Sequence, residues 1–215
     1  MIISKLLNQL IMKNLLETTE FAKKLIVKKS VTPNDDGALK VLKQKLSQIG
    51  FKNIDLPFGS KKNNDLILNL FSINKSKKLN NKTLCFAGHT DVVPEGDSKK
   101  WKYDPFLGKV SGGKLHGRGA SDMKGAIAAW VMACNSILKK QKLNISLALL
   151  ITGDEEGVAT NGTIKVVQYL KQKKIKIDHC IVGEPTNPNF MGEMIKVGRR
   201  GSLSFSIETI GKYGH

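Results

Sequence analysis

His89, Asp91, Asp122, Glu155, Glu156 and Glu184 are the residues of this chain whose types and spacing best fit chemistry. His89 and Asp91 stand two apart in GHTDVVP, and on an extended chain that spacing puts both side chains on one face. A carboxylate so placed takes one ring N–H of the imidazole and leaves the other nitrogen for a metal ion. Asp122 lies in GRGASDMKG, just ahead of an apolar helical stretch, where helix capping alone would account for an acid. Glu155 and Glu156 in ITGDEEG and Glu184 in IVGEPT argue for more than capping. Carboxylates gathered around one histidine repel one another unless a cation offsets them, and histidine with carboxylates suits Zn²⁺ or a similar divalent ion. Consecutive glutamates project differently, so one of the pair can hold metal while its neighbour faces a substrate as a base.

Those residues reach one place only if the intervening elements carry them there. TLCFAG (83–88), ISLALLIT (145–152) and IDHCIVGE (177–184) read as strands that are almost continuously apolar, the pattern of strands covered on both faces. MKGAIAAWVMACNSILKK (123–140) and NGTIKVVQYLKQKK (161–174) read as the helices between them. Alternating strands and helices predict an α/β fold with a largely parallel sheet flanked by helices, and the chemistry-bearing residues fall at the C-terminal strand ends, where such sheets place ligands. Upstream, residues 13–29 show helical periodicity, Asp35 or Asp36 caps a second helix ending at Gly50, and DLILNLF (65–71) reads as a further strand. SINKSKKLNNK reads as an exposed turn. Met12 is itself a candidate start, which makes residues 1–11 a candidate extension. From Ser202 the pattern changes to SLSFSIETI, whose strict alternation predicts a strand with one wet face. That change places a domain boundary near 198–200, with one domain over 12–198 and the beginning of a second over 199–215.

Composition narrows the classes. The chain has 215 residues, 40% of them hydrophobic and 25% charged, which suits one or two ordinary globular domains and excludes fibrous, disordered or disulfide-stapled classes. The formal charge of +17 invites a nucleic-acid reading, but only Arg118, Arg199 and Arg200 are arginines and no aromatic-interleaved basic stripe collects the lysines. A lysine-rich solvated surface is the simpler account, and neither a nucleic-acid nor a membrane partner is expected. No apolar run approaches the roughly 18 residues of a bilayer span, and MIISKLLNQLI lacks the features of a secretory signal, so a cytoplasmic location is expected. Cys85, Cys134 and Cys180 each lie in an apolar segment and are expected as buried free thiols. GGKLHGRGASDMKG fits neither common phosphate-loop pattern. His116 and His179 read as structural or surface residues, and Asp154 as the residue that holds the turn presenting Glu155 and Glu156.

GHTDVVPEGD, GRGASDMKGAIAA, DEEG, GEPT and GRRGS, in this order, resemble the co-catalytic zinc metallopeptidase and deacylase family, and GRRGS after GEPT resembles its succinyl-diaminopimelate desuccinylase branch. The resemblance implies a three-layer catalytic domain followed by an α+β lid and dimerisation domain, and two Zn²⁺ ions per subunit, with Co²⁺ as a substitute. It implies that His89 and Glu184 hold one ion, that Asp122 bridges the two, and that Glu156 holds the second. Glu155 becomes the general acid and base, Asp91 the partner of His89, Arg199 a substrate-carboxylate contact, and His215 a lid residue that polarises the scissile carbonyl across a dimer. The implied reaction is hydrolysis of N-succinyl-LL-2,6-diaminopimelate to succinate and LL-2,6-diaminopimelate, in lysine and diaminopimelate biosynthesis. A sister N-acyl-amino-acid deacylase, such as one acting on acetylornithine, is the alternative, and a non-catalytic metal-binding remnant is another. The family's second ion takes a further histidine from a later segment, so the resemblance also implies a chain cut short, with one complete ion site and a place for a complementing C-terminal fragment.

Overall fold

The structure, a computed structural model, describes residues 2–198, 200, 201, 203, 205–212 and 214. It divides into two units, 1–185 and 186–215.

In the first unit the most apolar strand is the middle of the sheet. β6 (Ser146–Thr152) is buried at all seven positions, because both of its faces and both of its edges are covered. Around it stand β1 (Lys52–Phe58), β2 (Ile67–Asn74), β3 (Thr83–His89) and β7 (His179–Val182), in the order β1-β2-β6-β3-β7. β3 runs parallel to both β6 and β7, while β2 is antiparallel to β1 and to β6, so β2 alone opposes the other four. The register pairs His89 with Thr152 and Ala87 with Val182, which brings the three parallel strands to one rim at their C-terminal ends.

Strand alternation sorts the core into two layers. Leu147, Leu149 and Ile151 face a cluster with Phe21 and Leu25 of α1 (Ile2–Ile26), Leu42 and Leu46 of α2 (Ala38–Gln48), and Ile127 and Val131 of α3 (Gly125–Lys140). Ala148 and Leu150 face the other way, onto Val166 and Leu170 of α4 (Thr163–Gln172) with Phe71 and Cys85. The result is the expected α/β arrangement of helices on both faces of a mainly parallel sheet.

Several local expectations change. α1 begins at Ile2 and ends at Ile26 instead of spanning 13–29; Leu10, Ile11, Met12, Leu15 and Leu16 are exposed, and its packed face starts at Phe21. Residues 2–11 of the candidate extension are thus helical, and Leu10 and Ile11 at their end are exposed. Asp35 does serve α2, since its Oδ1 accepts from the Leu39 amide at 3.0 Å. β1 was not expected, because Pro57 interrupts its pattern; as an edge strand it tolerates the missing N–H. A small hairpin of β4 (Lys109–Ser111) and β5 (Lys114–His116) also escaped the reading, and His116 there bonds the Ser111 carbonyl at 3.2 Å, a structural use. β7 is apolar but exposed, since among the described residues it pairs with β3 alone, and Cys180 on it is exposed where a buried thiol was expected. Cys85 and Cys134 are buried.

In the second unit, the Asn187 side-chain oxygen accepts from the Met194 amide at 2.9 Å and closes a local turn. The expected strand from Ser202 does not form among the described residues of that stretch, and Leu203, Phe205 and Ile207 are exposed. Alternation makes a segment suited to a sheet, but a strand needs a partner for its backbone groups. No helix among the described residues is long and apolar enough to cross a membrane.

Candidate metal centre

His89, the last residue of β3, is 1% exposed, and its Nδ1 lies 2.9 Å from the backbone carbonyl of Asp91. A carbonyl can only accept, so Nδ1 carries the proton and Nε2 is directed into the site. The Asp91 carboxylate, expected as the ring's partner, stands further off at 3.5 Å. Its main work is different. Oδ2 accepts from the amides of Glu155 at 3.0 Å and Glu156 at 2.9 Å, and from the Thr32 hydroxyl at 2.7 Å. Asp91 thereby ties the loop after β3 to the loop after β6 and fixes the backbone from which both glutamates project. Burial would raise its pKa, but the nearby His89 ring and hydrogen bonds from Thr32 and the Glu156 amide outweigh that and hold it below the usual range.

Asp122 reaches the rim through an irregular turn, Ala120–Lys124, entered from Gly119. Gly119 has φ 81°, a conformation that disfavours other residues, and a Cβ there would press on Val92. The turn is anchored by Lys124, whose amide donates to the Gly119 carbonyl at 2.9 Å and whose fully buried Nζ donates to the Lys28 carbonyl at 2.7 Å. Burial lowers the Lys124 pKa to about 8. Glu184 follows β7, and Gly183 before it packs so closely on the Phe86 ring that no side chain fits there.

These elements converge on one nitrogen. His89 Nε2 lies 3.0 Å from Asp122 Oδ1, 3.6 Å from Glu184 Oε1 and 3.9 Å from Glu155 Oε2. Two sets, His89 with Asp122 and Glu156, and His89 with Glu155 and Glu184, each offer ligand atoms within 4.8 Å of one another. The electrostatics show what the cluster favours. Burial, with Asp122 and Glu155 adding repulsion, pushes Glu184 up to about 6, and burial with Asp122 and Glu155 also raises Glu156. Burial disfavours a charged His89, yet Asp91 and Glu184 overcome it and raise its pKa to about 9. The ring's extra proton thus fills the role of a cation among these acids, which a metal ion taking the Nε2 lone pair would fill instead. One nitrogen and several carboxylate oxygens, with the second ring nitrogen already committed, fit a divalent ion.

Six sequence-derived residues, His89, Asp91, Asp122, Glu155, Glu156 and Glu184, therefore meet at one rim. Asp154 braces the loop as expected, accepting from the Asn161 amide at 3.1 Å. Arg199 and His215 lie outside the described residues. Sequence reasoning missed Thr32 and Lys124, since Thr32 meets Asp91 across 59 positions and nothing local marks either. Beside Glu156 opens a cleft of about 470 Å³, lined by Thr32, Val92, Val93, Asp154 and Val158 among others.

Replacing Asp91 with Ala strips an acceptor from two amides and a hydroxyl in a buried setting. The expected cost is about 3 kcal/mol or more of stability, with a 10- to 100-fold loss in metal affinity at about that order. Urea unfolding and metal titration of the variant read both; an unchanged midpoint would remove Asp91 from its bracing role.

The chain is 53% identical over 195 residues to a succinyl-diaminopimelate desuccinylase of Pelagibacter ubique (strain HTCC1062), covering 90% of this chain and 50% of that protein. It is 48% identical over 200 residues to the enzyme of that name from Caulobacter sp. (strain K31), covering 93% of this chain and 49% of that protein. It thus spans about half the length of these curated relatives. Among solved structures, human carnosine dipeptidase 1 shares the fold, with a TM-score of 0.68 at 24% identity over 82% of this chain and 41% of that one. The M20 family metallo-carboxypeptidase Sso-CP2 from Sulfolobus solfataricus aligns with a TM-score of 0.63 at 26% identity over 79% of this chain and 37% of that one. The sequence pattern of one peptidase family matches residues 85–212, a span that contains all six residues gathered at the strand ends, and the chain belongs to that family, M20/M25/M40.

Proposed function

We propose that the chain carries the metal-binding and proton-transfer half of a zinc-dependent amide hydrolase acting on N-succinyl-LL-2,6-diaminopimelate. The observation that carries this reading is the convergence of His89 Nε2 with Asp122, Glu155 and Glu184 at the ends of three parallel strands. The 53% identity to a desuccinylase supports the choice of substrate.

His89, Asp122 and Glu184 would hold one Zn²⁺, and Asp122 with Glu156 would contribute to a second; Co²⁺ suits the same donors. Bound there, the ion supplies Lewis-acid polarisation and a lowered pKa for water. That assignment leaves Glu155 for proton work, with about half of its side chain exposed at the rim. It takes the proton of the attacking water and returns it to the departing amine nitrogen, so one carboxylate serves both halves of the reaction. Asp91 keeps Glu155 in position through the amide bond described above. Arg199 would pair with a substrate carboxylate, and His215 would polarise the amide carbonyl in a homodimer. Free thiols fit a cytoplasmic enzyme.

The test is release of succinate from N-succinyl-LL-2,6-diaminopimelate by the zinc-loaded chain, alone and mixed with the C-terminal half of the Pelagibacter ubique relative, with N-acetylornithine alongside. Zinc-dependent turnover of the succinyl compound in preference to the acetyl one is expected. Preference for N-acetylornithine would reassign the substrate, and no turnover of either by a zinc-binding mixture would overturn the reading.

A further inference from the structure

Cys85 on β3 and Cys180 on β7 are paired in register on adjacent parallel strands. Residues matched in this way point to the same face of the sheet, and neighbouring strands lie about 4.7–4.9 Å apart. That separation falls inside the Cα range of disulfides, about 4.4–6.8 Å. The two thiols differ in access: Cys85 is buried among Leu56, Phe71 and Leu150, whereas Cys180 is exposed. The third thiol, Cys134, is buried in α3.

We propose that Cys85 and Cys180 form a redox-active thiol pair, which a hydroperoxide closes into an intramolecular disulfide. The exposed Cys180 sulfur attacks the peroxide O–O bond; an S–O bond forms, the O–O bond breaks, and the departing oxygen leaves as water. The Cys85 sulfur then displaces the hydroxyl from Cys180, forming the S–S bond, while that hydroxyl leaves as a second water with the Cys85 proton. Two thiols and one hydrogen peroxide thus give one disulfide and two waters. The neighbouring Cys85 thiol lowers the Cys180 pKa to about 7, which favours Cys180 as the first nucleophile. Burial pushes Cys134 up to about 12 and leaves it unreactive.

The position gives the bond a consequence. His89 follows Cys85 by four residues and Glu184 follows Cys180 by four, so the cross-link joins the two strands that deliver these residues, equally far below each. With one sulfur at the surface, the bond remains open to reduction.

The intact chain, treated with equimolar hydrogen peroxide, then unfolded and titrated with a thiol reagent, is the test. The titre is expected to fall from three thiols to one, to return to three with dithiothreitol, and peptide mapping is expected to link Cys85 to Cys180. Cys180→Ser should keep both of its remaining thiols under the same treatment. In Cys85→Ser, the Cys180 sulfenic acid should persist and be trapped by a dione reagent. A titre that stays at three, or loss of Cys180 into a dimer between chains with Cys85 still free, would overturn the proposal.

Discussion

His89→Ala is expected to lower zinc affinity by more than about 100-fold, beyond the 10- to 100-fold that loss of an outer partner costs. His89 Nε2 is the atom from which the nearby carboxylates are counted, at 3.0, 3.6 and 3.9 Å, and both candidate ligand sets contain it. Without it the acids keep their mutual repulsion and lose the nitrogen donor that both candidate sets share. The ring is buried, so the alanine variant also leaves a cavity; His89→Asn keeps a polar side chain there and separates the two effects. Calorimetric zinc titration alongside thermal unfolding checks the expectation. Zinc binding within threefold of the parent in a folded His89→Asn chain would mean that the metal, if held, is held elsewhere.

Glu155→Gln is expected to behave in the opposite way, with zinc affinity within a few-fold of the parent and hydrolysis reduced by about 10²- to 10⁴-fold. The glutamine keeps the size and the backbone amide that donates to Asp91 at 3.0 Å, so the loop stays in place. What it loses is the capacity to accept a proton and give it back. The comparison belongs on kcat, because a group used only while the proton moves leaves substrate binding alone. If instead KM rose with kcat intact, Glu155 would be a binding residue and Glu156, beside it, the candidate base. Read together, the two substitutions separate holding the ion from moving the proton.

The chemistry-bearing residues were legible because each sits in a short motif at the end of a strand that is itself conspicuous. TLCFAG leads to His89, ISLALLIT to Glu155 and Glu156, and HCIV to Glu184. Apolar runs of this kind need cover on both faces, and that need fixes the layered α/β arrangement and the shared rim. Other features failed for equally physical reasons. β1 was hidden by Pro57, which only an edge position permits. β7 resembles a core strand in composition, yet its exposure depends on which neighbours it has, and among the described residues it has β3 alone. SLSFSIETI has strand alternation, yet its described residues form no strand, because a strand needs a hydrogen-bonding partner as well as a pattern.

The role of Asp91 shows the same boundary within the site. Its two-residue spacing from His89 correctly put it at the rim, but the ring's nearest acceptor is the Asp91 carbonyl, while the carboxylate braces Glu155 and Glu156. Thr32 and Lys124 were invisible in advance because their value lies wholly in contacts across 59 and 96 positions. The sequence by itself determined which residues carry chemistry, which strands deliver them and the family to which they point, since these follow from local residue type and period. Only the tertiary structure decided which atom of Asp91 meets the ring, which strand forms the edge, and that Cys85 faces Cys180. Those outcomes depend on strand order and register, which are set by packing between segments far apart in the chain.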